Sequence, residues 1–268
     1  MKIIVPMAGR GSRFQAVADQ NPEYKKPKPL ILVKGKPMIE WAMESLPFLN
    51  LPKRRAQTDF KVETKDLVFI SLQRQQEEYK IVDFLKQVFG PQISVILIPE
   101  VTRGAVETAL KAKEYMNTDE DIIISDSDHY FDGNNLYEEI FKKEADVEGI
   151  IPVFQPPDSE VKWSYTLFDE NKTALAVGEK DPELAAKGAY ANIGGYYFSH
   201  GNVFVKEAEE MILQNDMYGA LGKQEFYVAP MYQRLIKKGM KIKAAIIPQV
   251  WGLGTPKDLE FFEANFNK

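Results

Sequence analysis

The chain has 268 residues, 44% of them hydrophobic, which is enough for a large buried core. Its formal charge is −5, from 34 basic and 39 acidic residues, so bulk nucleic acid is not an expected partner. There is no cysteine, and the only histidines are His129 and His200, which excludes disulfides, thiolate nucleophiles and poly-histidine metal centres.

The first element, "KIIVPM" (2–7), reads as a buried strand rather than a secretory leader. No run is long enough to span a bilayer, so a cytoplasmic location and no membrane partner are expected. "PMIEWAMESLPFL" (37–49) carries Met38, Ile39, Trp41, Ala42 and Leu46 at helical spacing, with Pro37 suited to a first turn. A polar stretch, 52–65, reads as an exposed loop. "DLVFISL" (66–72) is a strand, 75–89 an amphipathic helix stopped by Gly90 and Pro91, and "ISVILIP" (93–99) a strand. A helix over 104–116 and the strand "DIIIS" (121–125) follow. Strands alternating with helices of about ten to fifteen residues imply right-handed βαβ units and a largely parallel sheet. The second half differs: strand-like runs at 149–154, 162–169, 173–180 and 190–198 have short connections and suggest an antiparallel or mixed extension. Helices are expected over 202–214 and 225–238, a strand over 241–248, and a closing helix started by Thr255, Pro256 and Asp258. No repeat or long linker divides the chain.

Ligands on open α/β sheets bind at the carboxyl ends of the strands. Two suggestive stretches fall there. "MAGRGSRF" (7–14) follows the first strand: glycines let backbone amides approach and cradle an anion. The third glycine of a dinucleotide fingerprint is replaced by Phe14, and the lysine–hydroxyl ending of a P-loop is absent. G-x-G alone fits an ordinary strand-to-helix turn equally well, but Arg13 and Lys28 add two cations suited to a triphosphate. "SDSDHYFD" follows the fourth strand, and its Asp126, Asp128 and Asp132 offer the oxygen ligands that Mg2+ on a nucleotide needs. An isolated D-x-D would read as a solvated turn; the strand end favours the metal. His129 reads as a local hydrogen-bonding residue. Glu179 and Lys180 in "VGEK" could fix an acceptor's hydroxyls and phosphate, or form a charged strand end. Glu225 opens the 225–238 helix, where it could complement the helix N-terminus or reach a ligand hydroxyl. Of Trp163, Tyr165, Tyr190, Tyr196, Tyr197 and Tyr227, most are assigned to the core and some to a pocket wall.

In their order, "MAGRGSRF…PKPLILVKGKPMIEW", "SDSDHYF", "VGEK", "GGYYF", "EFYVAP" and "WGLGTPKDLEFF" resemble the nucleotidyltransferases that make nucleoside-diphosphate sugars, over nearly the whole chain. The resemblance implies a Rossmann-like mixed α/β fold, a mostly parallel sheet flanked by helices, of the glycosyltransferase-A type. One domain would span 1–268, with a nucleotide-binding half (1–148) and an acceptor-binding half (149–268). It implies Mg2+-dependent nucleotidyl transfer from an NTP to a phosphorylated small molecule, foremost a sugar 1-phosphate, with release of pyrophosphate. Matching motifs puts Met7, Ala8, Gly9, Gly11, Ser12 and Arg13 around the triphosphate and Gly104 near the nucleobase. Lys28 falls near the reacting centre, and Asp128, helped by Asp126, on the metal. Glu179, Lys180, Asn192, Gly195 and Glu225 fall on the acceptor. Gly252 stands where many members carry a second metal-binding aspartate, and "WGLGTP" resembles a capsule and surface-polysaccharide subgroup. Nucleobase and acceptor stay open, as does a homo-oligomer. The alternatives are a cytidylyltransferase for phosphocholine or a phosphorylated amino-acid derivative, a glycosyltransferase using a sugar nucleotide, and a catalytically silent sensor.

Overall fold

The computed structural model describes residues 1–157, 160–220 and 222–267. In the first half the apolar runs form the strands Lys2–Pro6, Leu67–Leu72, Ser94–Ile98 and Ile122–Ser125. All pair in parallel, with Lys2–Pro6 between Leu67–Leu72 and Ile122–Ser125, and Ser94–Ile98 at the edge. The apolar runs inside them, on both alternating positions, have a direct cause. Alternate residues point to opposite faces of a sheet, and both faces here are covered. Ile3, Val5, Leu67, Phe69 and Ile123 enter one core, and Ile4, Val68, Ile70, Ile122 and Ile124 enter the other. The first core is closed by the helices Met38–Glu44, Ile81–Phe89 and Asn134–Lys142, through residues such as Ile39, Leu85 and Leu136. The second is closed by Gly201–Leu213 and Ala229–Lys237, through Phe204, Ala208, Met231 and Leu235. Each such buried aliphatic side chain contributes about 1.5–3 kcal/mol.

The second half extends the same sheet in mixed fashion. Gly195–Phe198 runs antiparallel to Ile122–Ser125 and to Val147–Phe154, and Val147–Phe154 pairs in parallel with Lys241–Ile246. The expected strand 190–198 is two strands. It breaks at Ile193 and Gly194, and Tyr190–Asn192 leads away to Ser164–Phe168 and then Ala174–Glu179.

A third cluster lies beyond the sheet. Phe14, Tyr24, Trp41, Tyr130, Phe262 and Phe266 pack with ring centroids near 5 Å, for example 5.1 Å for Phe14–Tyr24 and 5.2 Å for Trp41–Phe266. It docks the closing helix Pro256–Asn265, which Thr255 caps as expected by accepting from the Asp258 amide at 3.2 Å.

Three expected helices differ. The 75–89 helix is Gln73–Tyr79 and Ile81–Phe89, separated by Lys80 in the left-handed region at φ 53°. The Gln76 side chain ends the ladder by accepting from the Val82 amide at 2.9 Å. A left-handed non-glycine residue costs roughly 1–2 kcal/mol, against roughly 0.5–1 for glycine's extra unfolded freedom. Lys80→Gly is therefore expected to leave the melting temperature unchanged or raise it; a loss would count against a strained Lys80. The 104–116 helix is a short α-helix (Ala105–Ala109), a 3-10 turn and a final turn, Lys113–Met116. The 225–238 helix begins only at Ala229, so Glu225 does not open it. Instead, Glu225 and Tyr218 exchange backbone hydrogen bonds of 2.8 and 3.0 Å, and the Phe226 carbonyl accepts from the Val106 amide. Pro230 has no N–H to donate to that carbonyl, so it occupies the first helical turn, where none is needed. The 52–65 stretch is largely loop, with Val62–Glu63 pairing beside Leu49–Asn50.

Candidate active site

The parallel strands end in one cleft. After Lys2–Pro6, the buried Met7 ties its amide to the Ile70 carbonyl at 2.9 Å, and the chain emerges at Gly9 and Arg10. Gly11, at φ 66°, turns it into the short helix Ser12–Gln15. Ser12 and Arg13 are exposed there, and Phe14 is buried in the aromatic cluster. The residue that excludes a dinucleotide fingerprint is thus the anchor of the loop. Lys28 sits in a 3-10 turn between Pro27 and Pro29, and its Nζ lies 2.5 Å from Asp128 Oδ2.

Asp126 and Asp128 follow Ile122–Ser125. Their oxygens and a His129 ring nitrogen all lie within 4.8 Å of one another. Burial alone would raise both carboxyls. For Asp128 the charges around it, the Lys28 ammonium foremost and Arg13 among them, together outweigh burial and hold it below its usual range. Asp126 feels the Lys28 charge without a hydrogen bond to it, and burial, then the charge of Asp128, outweigh that attraction and push it up to about 7. His129 is driven down to about 4 by burial, so it is neutral, and its Nε2 is buried without a hydrogen bond. Two crowded oxygen donors, one held by a lysine, suit a hard divalent cation. Glycines keep the surroundings open. A Cβ at Gly254 would stand 2.8 Å from Asp128 Oδ2, and one at Gly194 would stand 1.9 Å from Asp126 Oδ2. Gly252 pairs with His129 on the strand Val250–Gly252, and the carboxylate it faces is Asp258, 3.5 Å from where its Cβ would be.

Beside Asp126 opens a cavity of about 200 Å³, walled by Trp163, Glu179, Asn192, Tyr196 and Tyr227. Burial raises the Glu179 carboxyl against the opposing effect of Lys180, 3.6 Å away. Lys180 holds a left-handed backbone at φ 50° and places Nζ 3.3 Å from the Tyr227 hydroxyl. Such strain concentrates at functional positions. Glu225 is exposed and outside the wall, though its charge acts on Glu179 and Tyr227. Gly195 faces the core at Phe131 and Pro152; its neighbour Gly194 lines the cavity. Tyr165 and Tyr197 are buried core residues, and Tyr190 packs on Phe168. Gly104 does not reach the cavity wall. It takes φ 151°, and its hydrogen faces the Phe226 backbone, where a Cβ would come within 2.4 Å of the amide nitrogen. Gly194 and Gly254 carry no signal of their own in the sequence beyond the doublet "GG" and the closing "GT".

A larger cavity of about 530 Å³, lined by Met1, Phe60, Asp121, Phe141 and Tyr197, lies at the opposite, amino-terminal ends of the parallel strands. It is remote from both loops. Among the described residues, no helix is long and apolar enough to cross a membrane.

A family model described as nucleotidyl transferase matches residues 2–251. The bifunctional protein GlmU of Thermotoga sp. (strain RQ2) is 23% identical over 266 residues, which are 98% of this chain and 51% of that protein. The chain thus spans about half the length of the curated relatives it matches. The nucleoside-diphosphate-sugar pyrophosphorylase of Vibrio cholerae RC9 superposes with a TM-score of 0.72 at 20% identity, over 98% of this chain and 100% of that one. The inositol-1-phosphate CTP transferase of T. maritima superposes at 0.66 and 15% identity, over 96% and 90%. These likenesses show the same mixed α/β fold.

Proposed function

Because the chain belongs to the nucleotidyl transferase family, and is an enzyme of that kind, we propose that it passes a nucleotidyl group from an NTP to a phosphorylated small molecule, foremost a sugar 1-phosphate. The observation that carries this reading is the Lys28–Asp128 contact, made across 100 residues between the turn that follows the glycine loop and the carboxylate pair beside the cavity. It joins a lysine near the glycine loop to a pair of carboxylates and a wall of polar and aromatic groups. The names of the similar proteins favour a sugar phosphate or a polyol phosphate as acceptor. In this reading residues 1–148 hold the nucleotide and 149–268 the acceptor. The likeness of "WGLGTP" to capsule and surface-polysaccharide enzymes gives the product a use there.

The chemistry needs little from the side chains beyond position and charge. The nucleophile is an oxygen of the acceptor's phosphate, already ionised near neutrality because its second pKa is about 6. It forms a bond to the α-phosphorus while the bond to pyrophosphate breaks. No base has to remove a proton, which agrees with a buried, neutral His129. Arg13 and Lys28 neutralise the triphosphate, the loop from Met7 to Ser12 cradles it, and Lys180 draws in the acceptor phosphate against Glu179. Asp128 and Asp126 would hold Mg2+, which supplies further neutralisation of phosphate charge.

Pyrophosphate release, measured for each NTP with a panel of phosphorylated acceptors, tests the reading. One pair is expected to turn over, and removal of divalent cations with EDTA should suppress that rate by more than about a hundredfold, reversed by Mg2+. Silence with every pair would count against the whole class. Turnover with phosphocholine in place of sugar phosphates would move the acceptor to the cytidylyltransferase alternative.

A further inference from the structure

We propose that Thr166 is a positioning residue for the acceptor, locking the Asn192 amide so that its NH2 group is offered to an oxygen of the bound acceptor. The proposal rests on reading the cavity as the acceptor site. Asn192 lines that cavity and is 7% exposed. Its Oδ1 accepts the Thr166 hydroxyl at 2.6 Å, and its Nδ2 is buried with no hydrogen-bond partner. A buried donor left unmatched costs roughly 1–3 kcal/mol, so its persistence in a cavity wall points to a ligand that satisfies it.

Thr166 is fully buried on the strand Ser164–Phe168, level with Tyr190 on one side and Val177 on the other. Water does not compete for its hydroxyl there. The opposite amide orientation would turn Oδ1 toward a cavity that already holds the Asp126 and Glu179 carboxylates, setting acceptor against acceptors. Thr166 thus fixes the place of the amide, and because its hydroxyl could serve either end, it is the two carboxylates that set which end faces the cavity. The group opposite Asn192 must be a hydrogen-bond acceptor, a hydroxyl or phosphate oxygen, and an ammonium is excluded at that point.

The test compares wild type, Thr166→Val and Thr166→Ser with the NTP–acceptor pair that turns over. Valine keeps the branched shape and deletes the hydroxyl. The acceptor KM is expected to rise about tenfold or more, with kcat and the KM for NTP within about twofold, and serine is expected to restore the acceptor KM. An analogue lacking the contacted oxygen should discriminate strongly with wild type and weakly with Thr166→Val. Should the valine variant fail to fold, Asn192→Asp reads the same contact, since it exchanges the NH2 for an oxygen and should raise the acceptor KM further. Equal KM changes for both substrates, an unchanged acceptor KM, or no rescue by serine would overturn the role of Thr166 alone. A wild-type enzyme that releases no pyrophosphate with any pair would overturn the cavity reading and this proposal with it.

Discussion

Replacing Asp128 by asparagine should lower turnover by at least about a thousandfold while leaving the substrate-free protein no easier to melt. The carboxylate faces Lys28 at 2.5 Å and shares a small space with Asp126. Asparagine keeps the shape and removes the charge on which nucleotide and metal would be held. It also removes the charge repulsion that Asp128 adds to the effect of burial on Asp126. The loss of attraction to Lys28 and the relief of that repulsion oppose each other, so stability is expected to change little. Lys28→Ala should cost turnover by a factor of about one hundred to one thousand, and here stability should fall, because both carboxylates lose their cation. Pyrophosphate release and thermal melting of the two variants give the contrast. Normal turnover in either would remove that residue from the site.

Gly194→Ala should be nearly as damaging to activity without touching any charge. The new methyl group would lie 1.9 Å from Asp126 Oδ2 and 2.5 Å from its Cβ, so the aspartate side chain must swing away. Rotation of the side chain can relieve the contact with Oδ2 but not the one with Cβ, which the backbone fixes, so the two strand ends must also part slightly, at a cost of about 1–3 kcal/mol or more. With Asp126 displaced from Asp128 and from the cavity wall, turnover is expected to fall about a hundredfold or more. Melting measures the first effect and steady-state kinetics the second. Full activity would show that the position of Asp126 is irrelevant to the reaction.

Much of this was visible in the residues. Ile3 to Val5, Leu67 to Ile70 and Ile122 to Ile124 are apolar at every position because both faces of the sheet are covered, and that pattern needs no tertiary information to read. The placing of the two loops at strand ends followed from the same topology, whereas the contact of Lys28 with Asp128, from a 3-10 turn, did not. What was not visible depends on long-range contacts. Lys80 looks like any helical lysine, and only the Gln76 side chain capping Val82 breaks the helix there. Glu225 looks like a helix opener because its partner, Tyr218, belongs to another turn. Gly195 and Gly194 are adjacent, and only the register of the bend at Ile193 decides which of them meets Asp126. Thr166 is one apolar-strand threonine among others until Asn192 arrives opposite it.

The junction of Gly104 with Phe226 has a consequence for how such a chain can be taken apart and recombined. Arg103 accepts from the Phe226 amide, Phe226 accepts from the Val106 amide, and the missing side chain at 104 lets the two backbones touch. Residues more than a hundred positions apart therefore behave as a single inherited unit. A chimera crossed over between them, at the boundary of the two halves, inherits one side of the joint from each parent. It assembles only when the first parent supplies glycine at 104 and the second supplies a segment at 226 of matching path. Crossovers that keep 103–106 and 226 together carry no such condition.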